Sequence, residues 1–271
     1  MPLLHWLGYE LLEIFGPFRL LKSHLFLIGV GAALAACLTW YLLPKLWRRL
    51  PVDKGRLHAV DSEVSIGKPV GAGVFIIPVF VLVCLLVLPI DVRFLEILVV
   101  ILLVMLEGYL DDRTPGGLKE YQLGLMDLGL ALLGSFILCQ FQPVLIWFPV
   151  IKAELLLPAW VYIPLATALI WVTTNATNCS DGVDSLSGSL SVVSLISLGG
   201  VLYGILGHPG LSEYLLVPYY PDGVGWATLG FVMTGCLVGY LWHNAPPSAV
   251  LMGDAGSRPI GFLMGLLVMA S

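Results

Sequence analysis

HLFLIGVGAALAACLTWYLL, residues 24–43, decides the fold: it runs for 20 residues without an acid, a lysine or an arginine. Coiled as a helix at about 1.5 Å per residue, it crosses the roughly 30 Å of hydrocarbon in a bilayer. A helix is the form it must take, because that layer holds no water to satisfy free backbone N–H and C=O groups. Working outward, comparable apolar runs recur near 70–90, 93–110, 121–140, 160–176, 185–206 and 225–243, and an eighth begins near Pro259. The chain is 58% hydrophobic and only 11% charged, against about 25% charged in a typical soluble domain. The expected fold is all-α and polytopic, with about eight membrane helices in one domain over 1–271 and an interfacial amphipathic segment at 1–20.

The formal net charge of −5 excludes a basic nucleic-acid surface, and it leaves any bound phosphate in need of a metal or of local cations. The five cysteines, Cys37, Cys84, Cys139, Cys179 and Cys236, are scattered, mostly within apolar runs, without CxxC spacing, and read as small core residues. Glu10, Glu13, Arg19 and Lys22 interrupt the N-terminal segment too early for a cleavable signal peptide. Because helices alternate sides, segments 44–69, 111–120, 177–184 and 244–258 share one face. That face carries nine basic residues, Lys45, Arg48, Arg49, Lys54, Arg56, Lys68, Arg113, Lys119 and Arg258, against four opposite, Arg19, Lys22, Arg93 and Lys152. Positive charge marks the cytoplasmic side. Segments 141–159 and 207–224, rich in Pro, Trp, Tyr and Gly, are expected as interfacial hairpins on the outer side. GxxxG spacings at Gly235 to Gly239 and Gly261 to Gly265 are packing signals.

Three polar clusters fall on the basic face. Glu107-Gly-Tyr-Leu-Asp111-Asp112-Arg113 ends one apolar run. Adjacent residues on a helix point about 100° apart, so the two aspartates can do different work, although an acid paired with Arg113 at a solvated helix end has the same appearance. In Asn175-Ala-Thr-Asn178-Cys-Ser-Asp181-Gly182-Val183-Asp184 the polar residues recur every three positions, a stripe that starts inside an apolar segment. Helix capping explains one or two of them and leaves the rest as a functional signal. Asn244-Ala-Pro-Pro-Ser-Ala-Val-Leu251-Met-Gly253-Asp254-Ala-Gly-Ser257-Arg258 brackets an acid with glycines at the head of the next helix, where backbone N–H groups can approach an anion. Asp254 is read here as a loop acid that packing does not need. In the first loop, Arg56, His58, Asp61, Glu63 and Lys68 precede Pro69-Val-Gly-Ala-Gly73, and its basic residues can steer an anion or simply obey the charge rule. Carboxylates from three distant helix ends on one face supply the hard oxygen ligands that magnesium prefers.

The succession Asp111-Asp112, Asn175-Ala-Thr-Asn178-x-x-Asp181-Gly182-x-Asp184 and Asn244-Ala-x-Pro-x-x-Val-x-Met-Gly253-Asp254-x-Gly256-Ser257 resembles the polyprenyl-phosphate N-acetylhexosamine-1-phosphate transferases. The likeness runs from about residue 24 to the end and is strongest to the branch that handles a muramoyl-pentapeptide phosphate in peptidoglycan synthesis. The resemblance implies a magnesium-dependent enzyme of a bacterial inner membrane, with its site on the cytoplasmic side. Undecaprenyl phosphate would attack UDP-MurNAc-pentapeptide, releasing UMP and forming lipid I, directly or through an aspartyl intermediate. It implies Asp254 as metal ligand, with Asp111 and Asp181 beside it, Asp111 activating the lipid phosphate, and Asp112 supporting the site. Asn175, Asn178, Asp181, Gly182, Val183, Asp184, Asn244, Leu251, Gly253, Ser257, Lys119 and Lys68 would contact substrate. Surrounding membrane lipids, a homodimer, and nucleoside inhibitors that mimic the UDP-sugar are further expected partners.

The chain departs from the family pattern at several places. Val70-Gly-Ala-Gly73 stands for a usual Thr-Met-Gly-Gly, Leu251 for an aromatic that stacks on uracil, Ser185 for a glycine, and Lys119 for a lysine usually nearer the aspartate pair. The family has about ten helices and a histidine-rich loop near its C-terminus, which the resemblance places beyond Ser271. Two alternatives compete. Asp111-Asp112-Arg113 is reminiscent of the branch that moves GlcNAc-1-phosphate onto a polyprenyl phosphate, and intramembrane acids can also line a transporter path. Against transport, the acids sit at helix ends and no inverted repeat stands out.

Overall fold

The computed structural model describes residues 3–10, 16–53, 66–89, 91–148 and 153–271. A short helix α1 (Leu3–Glu10) and a 3₁₀ turn (Gly16–Lys22) lead into α2 (His24–Leu46), whose first turn is capped by Ser23. There follow α3 (Gly73–Val87), α4 (Val92–Arg113), α5 (Glu120–Cys139), α6 (Ala159–Ser180), α7 (Leu186–Gly200, continued by a π-helical turn to Leu206), a short α8 (Pro209–Leu215), α9 (Gly223–Asn244) and α10 (Asp254–Met269). Every apolar run expected to be helical is helical. Five helical stretches, His24–Arg49, Glu120–Cys139, Ala159–Ser180, Leu186–Leu206 and Gly223–Asn244, are long and apolar enough to cross a membrane. The chain is therefore a helical multi-pass membrane protein. The segment expected as an outer hairpin contains a two-stranded antiparallel ladder, β1 (Val144–Phe148) with β2 (Ala153–Leu157), in register Val144 to Leu157, and 207–224 folds partly as α8. The two strands are a local exception to an otherwise helical architecture.

The bundle forms around α9, which packs against α2, α3 and α7, while α10 packs against α4 and α6. Trp226 and Tyr240 of α9 are wholly enclosed. Both GxxxG signals are contact seams: Gly235 and Gly239 lie on the backbone of α2 at Ala32 and Ala36, and Gly261 and Gly265 lie on α6 at Thr173 and Ile170. Without a hydrophobic drive between helices in lipid, such close backbone approach is what gains dispersion energy. The outward surface is apolar: Val99, Leu103 and Leu106 on α4, Leu125 and Leu132 on α5, and Val193 and Ile196 on α7 are all exposed. In water that would be an aggregation surface, and in a bilayer it is the solvated one.

Candidate active site

The C-terminal ends of α4, α6 and α9 and the N-terminal ends of α3 and α10 meet on one side of the bundle. The loop before α3 is stitched to the loop before α10 by main-chain bonds, Leu251 N–H to Pro69 at 2.8 Å and Ala72 N–H to Leu251 at 3.1 Å. Two glycines permit the approach. Gly108 of α4 lies against the backbone of Asp254 and Ala255, where a Cβ would collide. Gly253 has φ +69°, a conformation costly for other residues, and a Cβ there would lie 2.6 Å from the Asp112 carboxylate.

Asp112 turns that junction into a capped helix. Its carboxylate accepts from the backbone N–H of Asp254 and of Ala255, both at 3.0 Å, so the acid that ends α4 satisfies the first free donors of α10. Asp111, pointing elsewhere as the helical offset requires, accepts from Leu118 N–H at 2.6 Å and lies close enough to Asp254 to interact directly. Both acids lie beyond the apolar run that ends at Leu110. Burial raises the pKa of each, opposed by the N–H groups they accept, and Asp112 is pushed up to about 7.

Asp254 is only 6% exposed and is tied into the bundle, which corrects its reading as a loop acid that packing does not need. Its Oδ2 accepts from Arg258 Nε at 2.9 Å and Asn178 Nδ2 at 3.2 Å. Arg258, 4% exposed, reaches on to Asp127 of α5 through Nη1. Asn178 is also locked at its other end, where Oδ1 accepts from Ser257 Oγ at 2.9 Å. Sequence reading placed Glu107 and Arg258 in its polar clusters without giving either a role, and missed Asp127 altogether. Glu107 is 2% exposed with neither carboxylate oxygen bonded among the described residues, and Asp127, Arg258, Asp254 and Asp111 are the charges around it. Asp127, the one charged residue inside the apolar run 121–140, was the available signal, since such a residue is costly in lipid unless used.

A second, polar subcluster lies alongside. Asn244 is buried and spends its amide on the chain, accepting from Ser185 N–H at 2.8 Å and donating to Val250 C=O at 2.9 Å. Asp184 accepts from Ser248 Oγ at 2.8 Å, and Lys68 Nζ lies 2.8 Å from the same hydroxyl and 3.7 Å from Asp184. Ser185 has φ +64°, which gives a physical reason for the glycine usual there. Gly182 and Val183 are exposed, with nothing near a Cβ at Gly182. Asn175 bonds its own helix at Trp171, Leu251 is half-buried, and Lys119 is exposed, its ammonium 5.9 Å from the Tyr121 ring. The first-loop residues Lys54, Arg56, His58, Asp61 and Glu63 lie outside the described residues, as do Glu13 and Lys152.

Among the described residues no three His, Cys, Asp or Glu side chains converge as a ready metal cage, so Asp181 does not join Asp111 and Asp254 in one. Two facing carboxylates suffice for magnesium, which usually takes one or two from the protein and completes its shell with water and substrate phosphate. Asp111 and Asp254 fit that pattern.

Residues 94–271 match the family described as Glycosyl transferase family 4. The phospho-N-acetylmuramoyl-pentapeptide-transferase of Treponema pallidum (strain Nichols) is 43% identical over 263 residues, which cover 95% of this chain and 72% of that protein. The enzyme of the same name from Chlorobium phaeobacteroides (strain BS1) is 31% identical over 180 residues, 60% of this chain and 47% of its own. That from Nitratidesulfovibrio vulgaris (strain DP4) is 34% identical over 169 residues, 59% and 47% respectively.

Proposed function

This chain belongs to the Glycosyl transferase family 4 and, within it, to the phospho-N-acetylmuramoyl-pentapeptide-transferases, and we propose that it transfers phospho-MurNAc-pentapeptide from UDP-MurNAc-pentapeptide to undecaprenyl phosphate, giving lipid I and UMP. The observation that carries the reading is the convergence of Asp111, Asp112, Asn178 and Asp254, from three sequence-distant segments, at the N-terminus of α10. The site faces the cytoplasm of the bacterial inner membrane, a sidedness supported by the excess of Lys and Arg in its loops.

In the reaction an oxygen of the lipid phosphate bonds to the β-phosphorus of the nucleotide-sugar, and the bond from that phosphorus to the bridging oxygen breaks, leaving with UMP. Asp111 orients the lipid phosphate and takes its proton if it carries one. Asp111 and Asp254 would hold magnesium, which would offset phosphate charge there. Asp112 keeps Asp254 in place by capping its helix, and Asn178 and Ser257 fix the orientation of Asp254 from the other side. Asp181, Gly182, Val183 and Asp184 form the half-open rim at which the nucleotide-sugar docks, with Lys68 giving a local positive charge. The test is formation of lipid-linked product by the protein in detergent, with and without chelation of divalent ions. Chelation is expected to stop product and added magnesium to restore it, and turnover undiminished by chelation would sink the metal assignment.

A further inference from the structure

The buried Arg258 is shared unequally with two acids, and the way it is shared has a chemical consequence. Nε bonds Asp254 Oδ2, Nη1 bonds Asp127 Oδ2, and Asp254 Oδ2 also receives Asn178 Nδ2. Both donors therefore converge on one oxygen of Asp254, and among the described residues no donor takes the other. A guanidinium left to itself with a carboxylate prefers a two-pronged grip on both oxygens. Asp127, which accepts from Nη1 out of α5 across 131 positions of sequence, draws the guanidinium toward itself, so that among the described residues Nη2, the fork partner of Nε, makes no bond to Asp254 Oδ1.

We propose that Arg258 is a positioning residue for the cation seat, and that Asp127 is its counterweight. Held to Asp127 by Nη1, Arg258 fixes Asp254 through Oδ2 alone and leaves Oδ1 for the cation that Asp254 shares with Asp111. Without Asp127, Arg258 closes on both oxygens of Asp254 and competes with the cation for them. Three aspartates, Asp111, Asp127 and Asp254, surround the one guanidinium, so Arg258 does not by itself expel a cation from the seat. The inference rests on the proposed assignment of Asp254 and Asp111 as metal ligands.

The test is Mn²⁺ binding, followed by electron paramagnetic resonance on the full chain in detergent without nucleotide or lipid. Asp127→Asn is expected to weaken Mn²⁺ about 10- to 100-fold, the usual scale for loss of a residue that orients a ligand. The double variant Asp127→Leu/Arg258→Leu removes competitor and counterweight together and leaves Asp254 Oδ2 to Asn178 alone. It is expected to bind Mn²⁺ more tightly than Asp127→Asn and less tightly than wild type, because both oxygens of Asp254 stay open to the cation while the hold of Arg258 on Asp254 is lost. The proposal is overturned if wild type binds no Mn²⁺, if Asp127→Asn binds it as wild type does, or if the double variant is as weak as Asp127→Asn. Product formation is scored separately: the expected Mn²⁺ pattern without lipid I removes the transferase reading and keeps the seat, whereas lipid I with Mn²⁺ affinity equal in all variants removes the counterweight and keeps the transferase.

Discussion

At the residue scale, neighbouring acids with one chemistry have been given different work by where the chain returns to meet them. Asp112 spends both oxygens on the first turn of α10, whereas Asp111 and Asp254 face one another. Asp112→Ala is therefore expected to cost about 1–2 kcal/mol of stability through the lost cap, read as a lower melting temperature in detergent, together with loss of turnover. Glu107 gives the opposite prediction. A buried carboxyl with no bond to either oxygen carries a desolvation cost, so Glu107→Met, similar in shape and apolar, should stabilise the fold by about 1–3 kcal/mol. Its melting temperature checks this, and a lower value would mean that Glu107 has a stabilising partner. The motif acids were legible in the sequence because Asp111-Asp112, Asp181 and Asp254 stand in short polar words between apolar runs. The pairings were not, since nothing local tells Asp112 that its donors lie 142 and 143 positions away, or Arg258 that its second acid is in α5.

At the element scale, hydropathy located the helices well: the run at 93–110 is the core of α4 (Val92–Arg113) and that at 225–243 is α9 (Gly223–Asn244). What it underread was the start of α10, where Asp254 already belongs to the helix although the apolar run begins only near Pro259. The cap supplied by Asp112 and the collision-free Gly253 extend the helix backwards into the polar turn, and this is what brings Asp254 into the site. The seam between α10 and α6 holds it there. Gly261 touches Thr173, Thr174 and Thr177 of α6, so Gly261→Leu forces the helices apart. The expected outcome is loss of turnover with the purified protein still helical by circular dichroism, because each membrane helix keeps its own backbone bonds. Retained activity would show that α6 need not hold α10 closely.

At the scale of the whole molecule, the polar helix ends gather on one side and the β1–β2 hairpin lies in a connection assigned to the other. Sidedness is accordingly open to a labelling experiment. Cys179, which like Cys37 is exposed rather than the core residue expected, should react with a membrane-impermeant maleimide only after cells are opened, while a cysteine placed at exposed Gln142 in a Cys179→Ser chain should react in intact spheroplasts. Reversed reactivity would put the site on the outer face, away from any nucleotide-sugar. The central claim, transfer of a muramoyl-pentapeptide phosphate, is tested most directly by UMP release with magnesium and undecaprenyl phosphate, comparing UDP-MurNAc-pentapeptide with UDP-GlcNAc. UMP from the first nucleotide alone is the expected result. UMP from UDP-GlcNAc alone would contradict the claim and move the chain's activity to the N-acetylglucosamine branch.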